Sequence, residues 1–102
     1  MLLHIVLINF RDDVNEAHKR EIYEDLNALV GKIDGVLSAR FGPNVSPEGL
    51  SKGYRDGFVM ELRDADARDR YLADPAHQAA GKKLVAAAEN GLEGILPFDL
   101  EV

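Results

Sequence analysis

The sequence predicts an α+β fold, a four-stranded antiparallel sheet with helices packed on one of its faces. Four short segments are apolar throughout or alternate apolar and polar residues, as strands do. The segments between them repeat apolar residues every three or four positions, as surface helices do. They follow one another as β-α-β-β-α-β, the order of the ferredoxin-like split βαβ motif. With 102 residues, 46% of them hydrophobic, the chain has the size of one domain, residues 1–102.

The first predicted strand, residues 2–10, is apolar on both of its faces. One face carries His4, Val6, Ile8 and Phe10, and the other carries Leu3, Ile5 and Leu7. A strand with two apolar faces has to be covered on both sides.

The first helix is predicted over residues 16–33. Asn15 is a candidate N-cap, while Asp13 with Glu16 forms a competing capping box slightly earlier in the chain. Its apolar stripe consists of Ile22, Leu26, Leu29, Val30 and Ile33, with Tyr23 beside it. The dipeptide at positions 34 and 35, Asp-Gly, is a turn signal that ends the helix.

Two strands separated by a long loop are predicted next. The second strand covers residues 36–41, and alternation places Leu37, Ala39 and Phe41 on one of its faces. Residues 42–57 are rich in glycine and proline and form a loop long enough to be functional or mobile. The third strand covers residues 58–62, with Phe58, Met60 and Leu62 on a shared face.

The second helical region is expected to be broken in two. Asp64 or Asp66 caps a short helix that ends near residue 73, and Asp74 followed by Pro75 starts another helix, because aspartate suits the cap and proline the first helical position. The Asn-Gly pair at positions 90 and 91 ends it. The last strand, residues 95–102, alternates Leu96, Phe98, Leu100 and Val102 with Pro97, Asp99 and Glu101.

The two-faced first strand predicts a homodimer. Two helical regions on one side cannot cover the sheet face that carries Leu3, Ile5 and Leu7. Burying each large apolar side chain contributes roughly 1.5–3 kcal/mol, which is a large share of the stability of a small domain. We therefore expect two copies to pack through this open face, so that two sheets face each other.

Composition excludes several other kinds of partner and site. There are no cysteines, which excludes disulfides, thiolate catalysis and zinc-thiolate sites. The formal net charge of −6 makes nucleic acid and anionic membranes poor partners. The apolar N-terminal segment is too short to span a membrane and lacks the features of a signal peptide, so a cytoplasmic location is expected.

The candidate site lies where the second helical region breaks. Tyr71 ends one helix, and His77 falls in the first turn of the next, where the helix dipole disfavours its protonated form and Asp74 favours it. His77 is then a candidate base, and Tyr71 a candidate hydrogen-bond donor to a carbonyl or enolate. The competing interpretation is that both residues only pack and cap. His4 is either a pocket residue or a core histidine bonded to backbone, and no metal-ligand spacing or phosphate-binding glycine pattern is present.

Several short motifs follow one another along the chain. They are the early strand with His4, Gly42-Pro43-Asn44-Val45-Ser46, Gly53-Tyr54, Tyr71 with Asp74-Pro75-Ala76-His77, and Phe98-Asp99. With these motifs the chain resembles the stress-responsive A/B barrel (Dabb) family of dimeric α+β barrels. The resemblance implies a barrel shared between two subunits, with the last strand also contacting the partner.

The resemblance also implies a site. In one member of the family, a polyketide cyclase, a histidine acts as base and a tyrosine binds substrate, and His77 and Tyr71 match those positions. The residues that match positions lining the pocket of that cyclase are His4, Tyr23, Leu26, Phe58, Leu72 and Gly81. Asp74 stands where the family often has histidine, and Ala80 where the cyclase has a bulky aromatic.

Three functions are open on this basis. The first is a Dabb protein with a small-molecule pocket between sheet and helices but no assigned reaction. The second is a cofactor-free cyclase-like enzyme that uses His77 and Tyr71. The third is a cofactor-independent monooxygenase of the related barrel type. None of the three needs a metal or a bound cofactor.

Overall fold

The computed structural model describes all 102 residues and has the predicted α+β architecture. The strands are β1 (Leu2–Ile8), β2 (Val36–Pro43), β3 (Asp56–Leu62) and β4 (Ile95–Glu101). The helices are α1 (Glu16–Asn27), α2 (Ala65–Ala73) and α3 (Pro75–Ala87), and a short 3₁₀ helix covers Gly91–Gly94. The strands form one sheet in the order β2-β3-β1-β4 with antiparallel neighbours, which confirms the ferredoxin-like fold.

The core lies between the helices and one face of the sheet. Along β1 every second residue, from Leu2 to Ile8, is buried against the helices, while the residues between them are only half-buried. Eighteen buried residues form a single hydrophobic cluster that includes Ile22 and Leu26 of α1 and Leu84 of α3. The opposite sheet face has no helix on it within the protomer, as the sequence predicted.

Helix α1 ends at Asn27, six residues earlier than the sequence predicted. Beyond Asn27 the backbone continues in tight turns, with Leu29 N–H donating to the Leu26 carbonyl at 3.1 Å, and Gly31 adopts a positive φ of 75°. Leu29 and Ile33 are nevertheless buried, at 2% and 9% exposure. The apolar repeat therefore predicted burial correctly but not the length of the regular helix.

Strand β2 contains an irregularity that the alternation did not predict. The pairing with β3 shifts register between Val36 and Ser38, so Leu37 is the extra residue and is 49% exposed. Val36 takes the buried position that Leu37 was predicted to share with Ala39 and Phe41. A bulge of this kind exchanges the two faces of a strand locally.

The helix caps follow the sequence. The Asn15 side chain accepts from the His18 backbone N–H at 2.8 Å, and the Asp64 side chain, not Asp66, caps α2 by accepting from Ala67 N–H at 2.9 Å. Helix α3 ends at Ala87, before the left-handed Asn90. None of the helices has the length and hydropathy needed to cross a bilayer.

Candidate functional site

A single residue, Asp74, makes the junction between α2 and α3. Its backbone is extended, with φ −68° and ψ 132°, so the helix cannot continue through it. Its N–H donates to the Tyr71 carbonyl at 3.3 Å, and its carboxylate accepts from Ala76 N–H at 2.8 Å. This break turns the last turn of α2 and the first turn of α3 toward each other, and the ring centroids of Tyr71 and His77 lie 4.2 Å apart.

Tyr71 is completely buried, at 0% exposure, and its hydroxyl has no hydrogen-bond partner. Burial raises its pKa, because the phenolate would be poorly solvated there. The phenol is therefore neutral at physiological pH and remains a hydrogen-bond donor. Its ring also meets the edge of His4, with centroids 5.7 Å apart.

The His77 imidazole is half-buried, and its Nδ1 atom is buried without a partner. Burial lowers the pKa of His77, and electrostatic interaction with the nearby His4 lowers it further. The nearby Leu72 backbone and the charge of Asp74 raise that pKa, but they do not outweigh burial. The neutral imidazole, the form that accepts a proton, is thus favoured.

His4 is held by a hydrogen bond to a carboxylate that sequence reasoning missed. It lies on β1 directly opposite Asp99 of β4, and its Nδ1 donates to Asp99 Oδ1 at 2.6 Å. Asp99 Oδ2 is in turn 3.4 Å from Arg68 Nη1 on α2. In the sequence Arg68 stands among Asp66, Asp69 and Arg70, so it resembles a charge on an exposed helix face. Predicting the contact of His4 with Asp99 requires the register between β1 and β4, and the alternation of residues within one strand does not give that register.

The remaining predicted pocket residues divide into those near the rings and those away from them. Phe58 is buried beside His4, with ring centroids 6.3 Å apart, and Leu26 is buried in the core at 1% exposure. Tyr23 is half-buried and stacks on Phe41 at 4.8 Å. Leu72 is 41% exposed.

Gly81 lies apart from the rings as well. It lines a surface groove of about 580 Å³ on the outer side of α3, together with Val85 and Leu92. None of the four main pockets is lined by Tyr71 or His77. The structure therefore brings together His4, Phe58, Tyr71 and His77, which we call the ring cluster, and leaves Leu72 and Gly81 outside it.

Fold and ring cluster together define an α+β protein of ferredoxin-like topology with a buried tyrosine and two buried or half-buried histidines between sheet and helices. Comparison with known proteins gives the particular family. The model of the Stress Responsive A/B Barrel Domain family matches residues 2–102, so the chain belongs to that family.

Three relatives illustrate its range. A stress-response A/B barrel domain-containing protein, HS1, of Arabidopsis thaliana is 31% identical over 74 residues, covering 72% of this chain and 68% of that protein. Olivetolic acid cyclase of Cannabis sativa is 24% identical over 78 residues, covering 76% of this chain and 77% of that protein. A solved structure from Jannaschia sp. CCS1, a dimeric ferredoxin-like protein of unknown function, is 37% identical, covers 99% of this chain and 98% of its own, and superposes with a TM-score of 0.92.

Proposed function

We propose that this protein is a homodimer that binds a small oxygen-bearing molecule beside Tyr71 and His77. One observation carries the binding site: two polar atoms, the Tyr71 hydroxyl and His77 Nδ1, are buried without partners on rings 4.2 Å apart. An unpaired buried polar group costs roughly 1–3 kcal/mol, so native proteins usually pair such atoms. A ligand that offers an acceptor and a donor close together would pair both.

The chemistry of the two groups restricts the ligand. A neutral phenol donates readily to a carbonyl oxygen, and a neutral imidazole nitrogen accepts from a hydroxyl or an acidic C–H. Molecules with a carbonyl next to an enolisable carbon or a hydroxyl offer both features. The cluster has no unpaired cation to balance a strongly anionic ligand, since Arg68 is already engaged by Asp69 and Asp99.

The dimer rests on the open sheet face. Leu3, Ile5 and Leu7 lie on it with the exposed Leu96, Phe98 and Leu100. A continuous apolar surface of this kind marks an interaction site. Support also comes from the Jannaschia sp. CCS1 protein, which is 37% identical to this chain and is dimeric.

A proton-transfer reaction is the form of this function that the geometry favours. His77, kept neutral by burial, would take a proton from the carbon next to a carbonyl, and Tyr71 would donate to the enolate oxygen that forms. A relative named as an enzyme, olivetolic acid cyclase, supports a catalytic form of this function. His4, held in place by its hydrogen bond to Asp99, would line the site as a further polar residue.

A packed, non-catalytic cluster is the second candidate, and a specific observation favours it. Tyr71 and His77 line none of the four main pockets. In that case the rings would serve the packing of α2 on α3, and the unpaired atoms would only lower stability.

Acetylacetone, a small enolisable diketone, distinguishes the two. If the site binds and acts on it, NMR shifts localise to the helix junction and the protein accelerates deuterium exchange at its central carbon. His77→Gln should abolish the exchange by removing the base, while Tyr71→Phe should weaken binding. Tyr71→Phe should also raise the free energy of unfolding by about 1 kcal/mol, because it deletes a buried unpaired hydroxyl.

A control variant helps to distinguish the reactive site from the packed cluster. His18 lies exposed on α1, so His18→Gln should leave binding and exchange unchanged. Exchange at the rate in buffer alone, with no shifts near residues 71–77, would favour the packed cluster over a reactive site.

A further inference from the structure

His4 has one ring nitrogen that is bound and one that is free. Its Nδ1 atom lies 2.6 Å from Asp99 Oδ1, and its Nε2 atom makes no hydrogen bond within the protomer. An ionised carboxylate only accepts, so the hydrogen in this contact sits on Nδ1. In a neutral imidazole one nitrogen carries the proton and the other accepts, so Nε2 is the acceptor. The bond to Asp99 therefore decides which hydrogen-bonding role His4 presents to the ring cluster.

Asp99 is held in a way that maintains this role. It lies on the edge strand β4 directly opposite His4, and paired residues of neighbouring strands share a face of the sheet. Its second oxygen, Oδ2, lies 3.4 Å from Arg68 Nη1 on α2. Each oxygen thus has its own partner, and rotation of the carboxylate only exchanges one oxygen for the other.

The free nitrogen belongs to a side chain enclosed by the ring cluster. His4 is 6% exposed, and its ring meets Tyr71 and Phe58 with centroids 5.7 and 6.3 Å away. Phe58 offers no hydrogen bond, and the Tyr71 hydroxyl has no partner within the protomer. The imidazoles of His4 and His77 both contact the Tyr71 ring. His4 Nε2 therefore adds a second acceptor to a site that already holds the Tyr71 donor and His77 Nδ1.

We infer that Asp99, acting through the tautomer of His4, makes the site select ligands with a hydroxyl on each side of a carbonyl. This inference rests on the ligand site proposed above. The Tyr71 hydroxyl donates to the carbonyl oxygen, while His77 Nδ1 and His4 Nε2 each accept from one hydroxyl. Asp99 does not touch the ligand and is a positioning residue. An ether oxygen in place of one hydroxyl sets acceptor against acceptor and leaves both unpaired, which disfavours binding.

Two small ketones that differ by one methyl group test the selection. Dihydroxyacetone carries a hydroxyl on each side of its carbonyl, and in its monomethyl ether one of these hydroxyls is blocked. NMR titration of the parent protein, read at residues 71–77, gives both dissociation constants. The constant for dihydroxyacetone should be roughly tenfold or more lower, because the ether leaves one buried imidazole nitrogen unpaired.

Asp99→Asn should reverse the role of His4. Because Arg68 Nη1 donates to the atom at the Oδ2 position, the amide oxygen takes that place and the amide NH₂ faces His4 Nδ1. Nδ1 then accepts and Nε2 carries the proton, which it donates to an ether as well as to a hydroxyl. The preference for dihydroxyacetone should largely disappear. Nitrogen NMR of the His4 ring should show the proton on Nδ1 in the parent and on Nε2 in the variant.

Asp69→Asn is the matched control. Asp69 also binds Arg68, with its Oδ1 at 3.2 Å from Arg68 Nε, but it makes no contact with His4. This variant should keep the tautomer and the preference of the parent. His4→Phe keeps an aromatic ring in the cluster and removes the acceptor, so it should lose the preference even if Asp99→Asn does not fold.

The outcomes separate this inference from the proposed function. A parent protein that binds neither acetylacetone nor these two ketones at the helix junction would overturn the proposed ligand site, and the selection with it. A parent that binds acetylacetone there but binds both ketones equally, or neither, would overturn the selection alone. A His4 ring that carries its proton on Nε2, or on both nitrogens, in the parent would overturn the role assigned to Asp99.

Discussion

The ring cluster illustrates how individual residues determine what the site can do. Each of its three titratable side chains has a different environment. Tyr71 is buried and unpaired, His77 is half-buried near a carboxylate and a second histidine, and His4 is bonded to Asp99. The two unpaired groups are thus both kept neutral, while His4 is fixed in one orientation. A neutral base beside a neutral donor is the arrangement that proton abstraction next to a carbonyl requires.

His77 should make folding stability sensitive to acid. Its folded pKa is lowered below the usual value near 6.5, so the unfolded chain binds the proton more readily. The contribution of His77 is therefore complete above about pH 6.5 and decreases as the pH falls toward the lowered folded pKa. Melting temperatures measured from pH 8 to pH 5 should fall more steeply for the parent than for His77→Gln, which does not titrate.

His18→Gln is the control for this measurement, because it removes an exposed histidine of α1. Its melting temperatures should follow the parent over the whole range. If His77→Gln instead loses stability on acidification as steeply as the parent, the neutral form of His77 is not the one favoured by folding.

At the scale of elements, the turn between α1 and β2 packs closely against α2. Gly35 has a φ of +90°, and a Cβ added there would overlap the Ala67 side chain on α2. Gly31, four residues earlier, has a φ of +75° with nothing near the position of its missing Cβ. Both glycines therefore adopt a positive φ that disfavours other residues. Only Gly35 also lacks the space for a side chain.

Substituting both glycines separates these effects. Gly31→Ala should lower the free energy of unfolding by about 1–2 kcal/mol, since it places an L-residue in a left-handed conformation. Gly35→Ala should cost about 1–3 kcal/mol more, the usual range for overpacking. Urea denaturation of both variants measures the difference. Equal losses would show that α2 adjusts freely to a methyl group at position 35.

The helices and strands also show which parts of the fold can be predicted from the sequence. Periodicity predicted the order of strands and helices, and local chemistry predicted the caps at Asn15 and Asp74, because both depend on neighbours in the chain. The bulge at Leu37 depends on how β2 pairs with β3. The contact of His4 with Asp99 depends on the register of β1 and β4. Neither pairing can be read from one segment alone.

The candidate site was predictable to a similar extent. The Asp74 break brought Tyr71 and His77 together as the sequence suggested, since a cap fixes the direction of the chain at that point. Leu72 and Gly81 came from family resemblance, and their helix faces direct them elsewhere. Arg68 forms an ion pair with Asp99, but in the sequence it resembles any other charge on a surface helix.

For the whole molecule, the proposed packing of two open sheet faces would make stability depend on assembly. Ile5 lies near the centre of this face, between its pairing partners Val59 on β3 and Phe98 on β4. If two faces pack together, the folded dimer is favoured by mass action, and the melting temperature of the parent should rise with protein concentration. The protomer alone leaves a row of large side chains in water, and burying each contributes roughly 1.5–3 kcal/mol.

Ile5→Asp tests this dependence. A carboxylate at the centre of the interface would be buried without a partner, which costs far more than losing an apolar contact, so the variant should be monomeric. Its melting temperature should be lower than that of the parent and should not change over a hundredfold range of concentration. Leu92→Asp, at a 74% exposed position on the helix side, should keep both the dimer mass by light scattering and the concentration dependence of the parent. An Ile5→Asp protein that retains the parent's mass and concentration dependence would place the subunit contact on another surface.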